Sequence, residues 1–156
     1  MKHIPILIIA LSLLGCSNTE VPENTGEKIL VAEEIIYDVI IKVPDMDDPW
    51  EVKKLDGYQG ERMVSEIFNA VYEEKVKVYD YHTGEKLSPG QVREKELQQG
   101  YDRNNLGKIQ FTENWFYNPA SMKIDKEVTS IVLGYENRTI DGKLIGYWAA
   151  FRLDLE

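Results

Sequence analysis

The sequence predicts an α+β domain: a mostly antiparallel sheet of four or five strands, with one covering amphipathic helix and one short surface helix. Three observations predict it. Residues 108–117 alternate Ile109, Phe111, Trp115 and Tyr117 with Gln110, Thr112 and Asn114, and a tight turn at Asn118-Pro119 leads into residues 128–135, the most apolar run after the leader. Residues 144–155 carry Ile145, Tyr147, Ala149, Phe151, Leu153 and Leu155 at every second position, with Trp148, Arg152 and Asp154 between them. Period two is the mark of a strand with one buried face. Between residues 59 and 74, Met63, Val64, Ile67, Phe68, Val71 and Tyr72 repeat instead at the spacing of one helical face.

Taken in order, the chain opens with a leader. Met1-Lys2-His3 is basic, residues 4–14 are almost wholly apolar, and Leu13-Leu14-Gly15-Cys16 follows. The apolar run is shorter than the roughly 20 residues that span a bilayer and has the layout of a secretory signal. The four residues ending at Cys16 resemble the lipobox of bacterial lipoproteins. That resemblance implies lipidation of Cys16, the chain's single cysteine. Ser17 at the next position implies, by likeness to lipoprotein sorting, the outer membrane, with the domain facing the periplasm or, alternatively, the cell surface. Stable anchoring takes more than one acyl chain, which a triacylated Cys16 supplies. Residues 16–27 are polar, with Pro22 and Gly26, and read as a flexible tether. Residues 28–156 read as a single domain.

Charge narrows the partners. The chain holds 27 acidic and 18 basic side chains, and one of the basic ones, Lys2, belongs to the leader. The remainder is therefore one unit more negative than the −9 of the whole chain. Such a balance argues against nucleic acid and against an electrostatic hold on anionic lipid.

Residues 28–43 are rich in Ile and Val, with Tyr37, Val39, Ile41 and Val43 alternating, and Pro44 ends this first strand. Asp45-Met-Asp-Asp-Pro-Trp-Glu51 reads as an acidic loop. It lacks the alternating ligands and central glycine of a calcium loop, so no metal or other cofactor is expected. Trp50 is a candidate interface anchor. Residues 76–80 form a short strand and residues 81–85 a turn. His82, the only histidine beyond the leader, has no Cys or second His to join it. Ser88-Pro89-Gly90-Gln91 is a helix start: Ser88 caps, Pro89 suits the first turn, and Gln91 returns a bond to Ser88. Residues 101–105 read as polar loop. The strand over residues 128–135 is apolar on both faces and is therefore central.

Glu113 stands in the otherwise apolar row with Ile109 and Trp115. Buried polar groups are nearly always hydrogen-bonded, so it is expected at a bulge, accepting from Tyr or Trp, or paired with a Lys across the strands. The tentative interface residues are Trp50, Trp115, Phe116, Tyr117 and Trp148.

Glu113-Asn-Trp-Phe-Tyr-Asn-Pro-Ala-Ser-Met122, followed by an Ile/Val-rich strand ending in Gly134, resembles a passage of GldN/PorN-type proteins of gliding motility and type IX secretion. Phe68 to Asp80 resembles the same family's helix and the strand after it. The resemblance covers roughly residues 58–134; Asn118 stands where the motif has Asp. It implies a non-catalytic short lipoprotein relative of ring components beneath the outer membrane, docking onto envelope proteins. Two alternatives come from the residues alone. One is a small-ligand or glycan-binding lipoprotein that stacks ligands on its Tyr and Trp rings. The other is a hydrolase pairing Glu113 with Asp47 or Asp48, since glycosidase chemistry needs two carboxylates at a set separation.

Overall fold

The computed structural model describes residues 27–155. Cys16, the leader and most of the tether lie outside the described residues. One six-stranded sheet organises the rest. Its strands are β1 (Ile29–Ile40), β2 (Lys77–Asp80), β3 (Lys86–Leu87), β4 (Leu106–Asn118), β5 (Lys123–Arg138) and β6 (Leu144–Asp154). Their spatial order is β1-β4-β5-β6-β2-β3, and every pair is antiparallel. Three helices accompany them: α1 (Pro49–Lys54), α2 (Gly60–Tyr72) and α3 (Pro89–Glu96). The class is α+β, as the periodicities predict.

The long hairpin turns just after Asn118, whose side-chain Oδ1 accepts from the amides of Ala120 and Ser121 (3.0 and 3.1 Å). β5 is central, between β4 and β6. α2 lays Phe68 and Val71 on the sheet against Ile109, Ile131, Leu133, Phe151 and Leu153, all buried. Burying each such side chain stabilises by about 1.5–3 kcal/mol. α3 begins with the expected reciprocal Ser88–Gln91 cap and adds Val92 to the same cluster. Its attachment to α2 is polar: Glu96 accepts from the Tyr72 hydroxyl and pairs with Arg103, whose guanidinium lies 4.2 Å from the Phe68 ring centroid.

Three expectations are corrected. The sheet has six strands, because β3 adds two residues beside β2. A strand that short has no period to read, and its placement follows from the Gly84 turn, where Asp80 accepts from the amides of His82 and Thr83 (2.9 Å each). The acidic loop closes into α1: Asp48 accepts from the Trp50 amide (2.8 Å) and Pro49 occupies the first turn. The row from Ile145 to Leu155 is not continuous. β6 pairs Phe151 with Leu133 but Ala149 with Gly134, so Ala150 is an extra residue that forms a bulge. The bulge reverses the alternation. Trp148 comes to lie opposite Tyr135, against Tyr101 at 6.4 Å between ring centroids, rather than with Arg152.

Candidate functional site

Two parts of the sheet differ in cover. β6 pairs with β5 only from Ser130 onward. Residues 123–128 of β5, 113–118 of β4 and 29–35 of β1 therefore continue as a three-stranded arm past the ends of β6 and β2. Within the arm only Glu113 is buried. Ile29, Leu30, Val31 and Ile124 are each at least 43% exposed. The arm also carries Trp115, Phe116 and Tyr117, all half-buried. Trp115 and Tyr117 share the helix side with Glu113, while Phe116 faces the other way, as the alternation predicts.

Glu113 ties the arm's strands together. It sits beside a register shift in β4–β5. Its Oε1 accepts from the Tyr37 hydroxyl of β1 (2.5 Å), its Oε2 accepts from the Trp115 indole (2.9 Å), and Lys126 of β5 stands 3.7 Å away. Lys126 also lies 4.3 Å from the Trp115 ring centroid. Burial alone would push the Glu113 carboxyl up, but the bonds from Tyr37 and Trp115 and the Lys126 charge outweigh it and hold the carboxyl below its ordinary value. The same bond pushes the Tyr37 hydroxyl up.

β1 is the outer strand of the arm and the edge of the whole sheet. It opens with the exposed Ile29, Leu30 and Val31, followed by the exposed acidic pair Glu33-Glu34. Its pairing to β4 slips twice between Leu30 and Ile35, and Glu34 takes φ 52°. The Glu34 amide donates to Asn114 Oδ1 of β4 at 3.1 Å.

A second buried carboxylate escaped the sequence reading. Glu136 of β5 is 6% exposed and is held by Lys42 (2.8 Å) and Arg138 (2.8 and 3.0 Å). Burial pushes its carboxyl up, and the Arg138 and Lys42 bonds overcome that and leave it lowered. Gly107 makes room for it: a Cβ there would stand 2.8 Å from Glu136 Cγ and 2.9 Å from Tyr147 Cε1. Glu136 looks like a surface residue in the sequence because Lys42 comes from 94 positions away, and only Arg138, two residues on in the same strand, is local.

These carboxylates do not converge. Glu136 and Glu113 lie on opposite faces of the sheet, since Val128 opposite Glu113 shares the helix side with Tyr135. The Asp45–Asp48 segment sits near Arg138, whose Nη2 reaches the Pro44 carbonyl (3.5 Å). Ten β5 residues, about 30 Å of strand, separate Arg138 from Val128 beside Glu113. Asp45 and Asp48 accept bonds from the amides of Asp47 and Trp50. The structure thus does not bring Glu113 together with Asp47 or Asp48. Among the described residues no group of three or more His, Cys, Asp or Glu side chains could hold a metal ion.

Of the remaining aromatic candidates, Trp50 is 73% exposed on α1, with Lys53 6.0 Å from its ring centroid. Trp148 is 44% exposed at the unpaired edge of β6. His82 lies on the exposed turn, edge-on to Tyr81. The hydroxyls of Tyr135 and Tyr147 are buried without a hydrogen-bond partner among the described residues, and burial pushes both up. No helix among the described residues is long and apolar enough to cross a membrane. No family model matches the chain, and no curated protein matches it.

Proposed function

We propose that this protein is a non-catalytic envelope lipoprotein. In this reading Cys16 carries the lipid, and the domain docks through the arm onto a protein partner in a periplasmic assembly. A relationship to gliding-motility and type IX secretion ring components is part of the same proposal, resting on the residues from Phe68 to Asp80 and from Glu113 to Gly134. The observation that carries docking is the uncovered arm. Three strands project past the helical cover, with Ile29, Tyr117 and Ile124 side by side on one face, Leu30 beside Phe116 on the other, and the outer edge of β1 unpaired. Contiguous exposed apolar surface marks interaction sites, and an unpaired strand edge accepts an extended segment by backbone hydrogen bonds. Glu113, tied to Tyr37, Trp115 and Lys126, keeps the arm rigid in advance of binding, which lowers the entropic cost of association.

Two substitutions test this. Val31→Lys puts a charge on the edge, and Phe116→Ala removes the aromatic from the face opposite Glu113. Co-isolation of the full-length protein from its own envelopes should lose the partner with either variant, while the melting temperature stays within a few degrees of the parent. Retention of the same partner by both variants would sink the proposal.

A further inference from the structure

Directly paired residues of an antiparallel sheet point to the same face. Thr112 pairs with Ser130, Ser130 with Asp154, and Asp154 with Lys77, so these four side chains stand in one row across β4, β5, β6 and β2. Their chain neighbours Ile131, Leu153 and Val78 are buried beneath α2, and strand alternation therefore puts the row on the opposite face. Asn114 and Arg152, each two residues along a strand from the row, share that face. Glu34 joins them from β1 through its amide bond to Asn114. Together these side chains line one hollow of about 350 Å³, at the low end of the range for small-ligand sites.

The hollow has a positive end and a negative end. Arg152 Nε lies 3.1 Å from Asp154 Oδ1, which leaves the two terminal guanidinium nitrogens free to donate. Lys77 of β2 and Glu34 of β1 are exposed, and neither side chain makes an ion pair or hydrogen bond among the described residues. β4, β5 and β6 lie between them. Four strand spacings set the two backbones about 19 Å apart, and the extended Lys and Glu side chains take up about half of that span.

Three ligand classes match this lining poorly. A small inorganic anion at Lys77 and Arg152 would sit against Asp154. A metal ion needs its oxygen ligands around one point, whereas Glu34 and Asp154 are three strands apart. A neutral sugar would cover Lys77 and Glu34 without supplying a counter-charge to either, which is unfavourable. A zwitterion matches both ends at once, with its ammonium at Glu34 and its carboxylate at Lys77 and Arg152. An extended chain rises about 3.3 Å per residue, so about three residues bridge the gap. Its backbone N–H and C=O groups meet the Thr112 and Ser130 hydroxyls and the Asn114 side-chain amide on the floor.

We propose that this hollow binds short free peptides, about three residues long, with the N-terminus at Glu34 and the C-terminus at Lys77 and Arg152. The site uses neither the apolar groups of the arm nor the free edge of β1, so it stands or falls independently of docking. The test is a titration of the isotope-labelled full chain, followed by amide resonances, with tri-alanine, N-acetyl-tri-alanine, tri-alanine amide and inorganic phosphate. Saturable shifts at Asn114, Ser130 and Asp154 with tri-alanine are expected. Capping either end should weaken binding about three- to fivefold, the range of a partly exposed ion pair. Glu34→Gln should abolish the penalty for acetylation, and Lys77→Gln should shrink the penalty for amidation. Both positions are exposed, and the rest of the spectrum should stay unmoved. Absence of saturable shifts with tri-alanine, capped peptides that bind as well as the free one, a penalty unchanged in its matching variant, or tighter binding of phosphate would overturn the proposal.

Discussion

β4 and β5 run through two settings, and the contrast between them explains how the molecule is built. Over Ile109, Ile131 and Leu133 they lie beneath α2, and burial of aliphatic and aromatic side chains holds them there. Beyond Glu113 and Val128, the last pair to pack against the core, the same strands rely on polar ties. Those ties are Glu113 with Tyr37 and Trp115, Lys126 over the Trp115 ring, and Lys28 with Asp125 at 2.7 Å. The covered part is stabilised by area removed from water. The arm is stabilised by a few directed bonds, which leaves its apolar groups on the surface. Burial thus holds one length of the two strands, and the proposed docking uses the other.

Substitutions in the two parts should break differently. Phe68→Ala empties the centre of the covered part, where the ring is fully buried. It should lower unfolding free energy by about 3–5 kcal/mol, read from urea midpoints. Glu113→Ala leaves the Tyr37 hydroxyl and the Trp115 indole without their acceptor. It should lower stability by about 2–3 kcal/mol, and hydrogen exchange should quicken at the arm's amides before those of Ile131 and Leu133. Uniform quickening over both parts would mean that the arm is not a separate unit. Trp50→Ala, at an exposed position on α1, should change stability by less than about 0.5 kcal/mol, by the same urea measurement.

Acid should sharpen the same contrast. Asp80 is held near a pKa of about 2, first by Lys95 and then by the amides of Thr83 and His82. Glu113 and Glu136 are lowered as well. A carboxylate whose folded value is depressed binds its proton more readily in the unfolded chain. Its contribution is complete above the ordinary carboxylate range and is lost as pH falls through the folded value. Urea midpoints measured from neutral pH downward should hold steady and then fall below about pH 4.5. Glu113→Gln should flatten that fall, because the amide no longer titrates. An unchanged acid limb in Glu113→Gln would remove Glu113 from the account of acid sensitivity.

Much of the covered part was legible in the sequence. The Met63–Tyr72 stripe gave α2 to within a residue or two, and Ser88 with Gln91 placed the start of α3, because caps and periodicity are local signals. Glu113 stood out as a carboxylate in an apolar row, and the expected partners of such a group were the ones found: Tyr, Trp and a Lys across the strands. Bulges were not legible. The extra Ala150 looks like any other small residue in an alternating strand, yet it turns Trp148 to the side of Tyr135. Glu136 was missed because Lys42 lies 94 positions away in the sequence, and no local pattern announces that pairing. α1 was missed although Asp48-Pro49 is a usable start signal, because the run of carboxylates read more strongly as a loop. The arm itself appears only once strand lengths are compared across the sheet.

The most direct measurement places a photo-crosslinking side chain at Phe116 and Ile124 of the arm and, in separate proteins, at Leu97 and Ile140, which are exposed outside it. Irradiation of cells producing each full-length protein should yield one discrete adduct from the two arm positions and none from Leu97 or Ile140. Adducts of equal yield from all four positions, or from Leu97 and Ile140 alone, would contradict the assignment of docking to the arm.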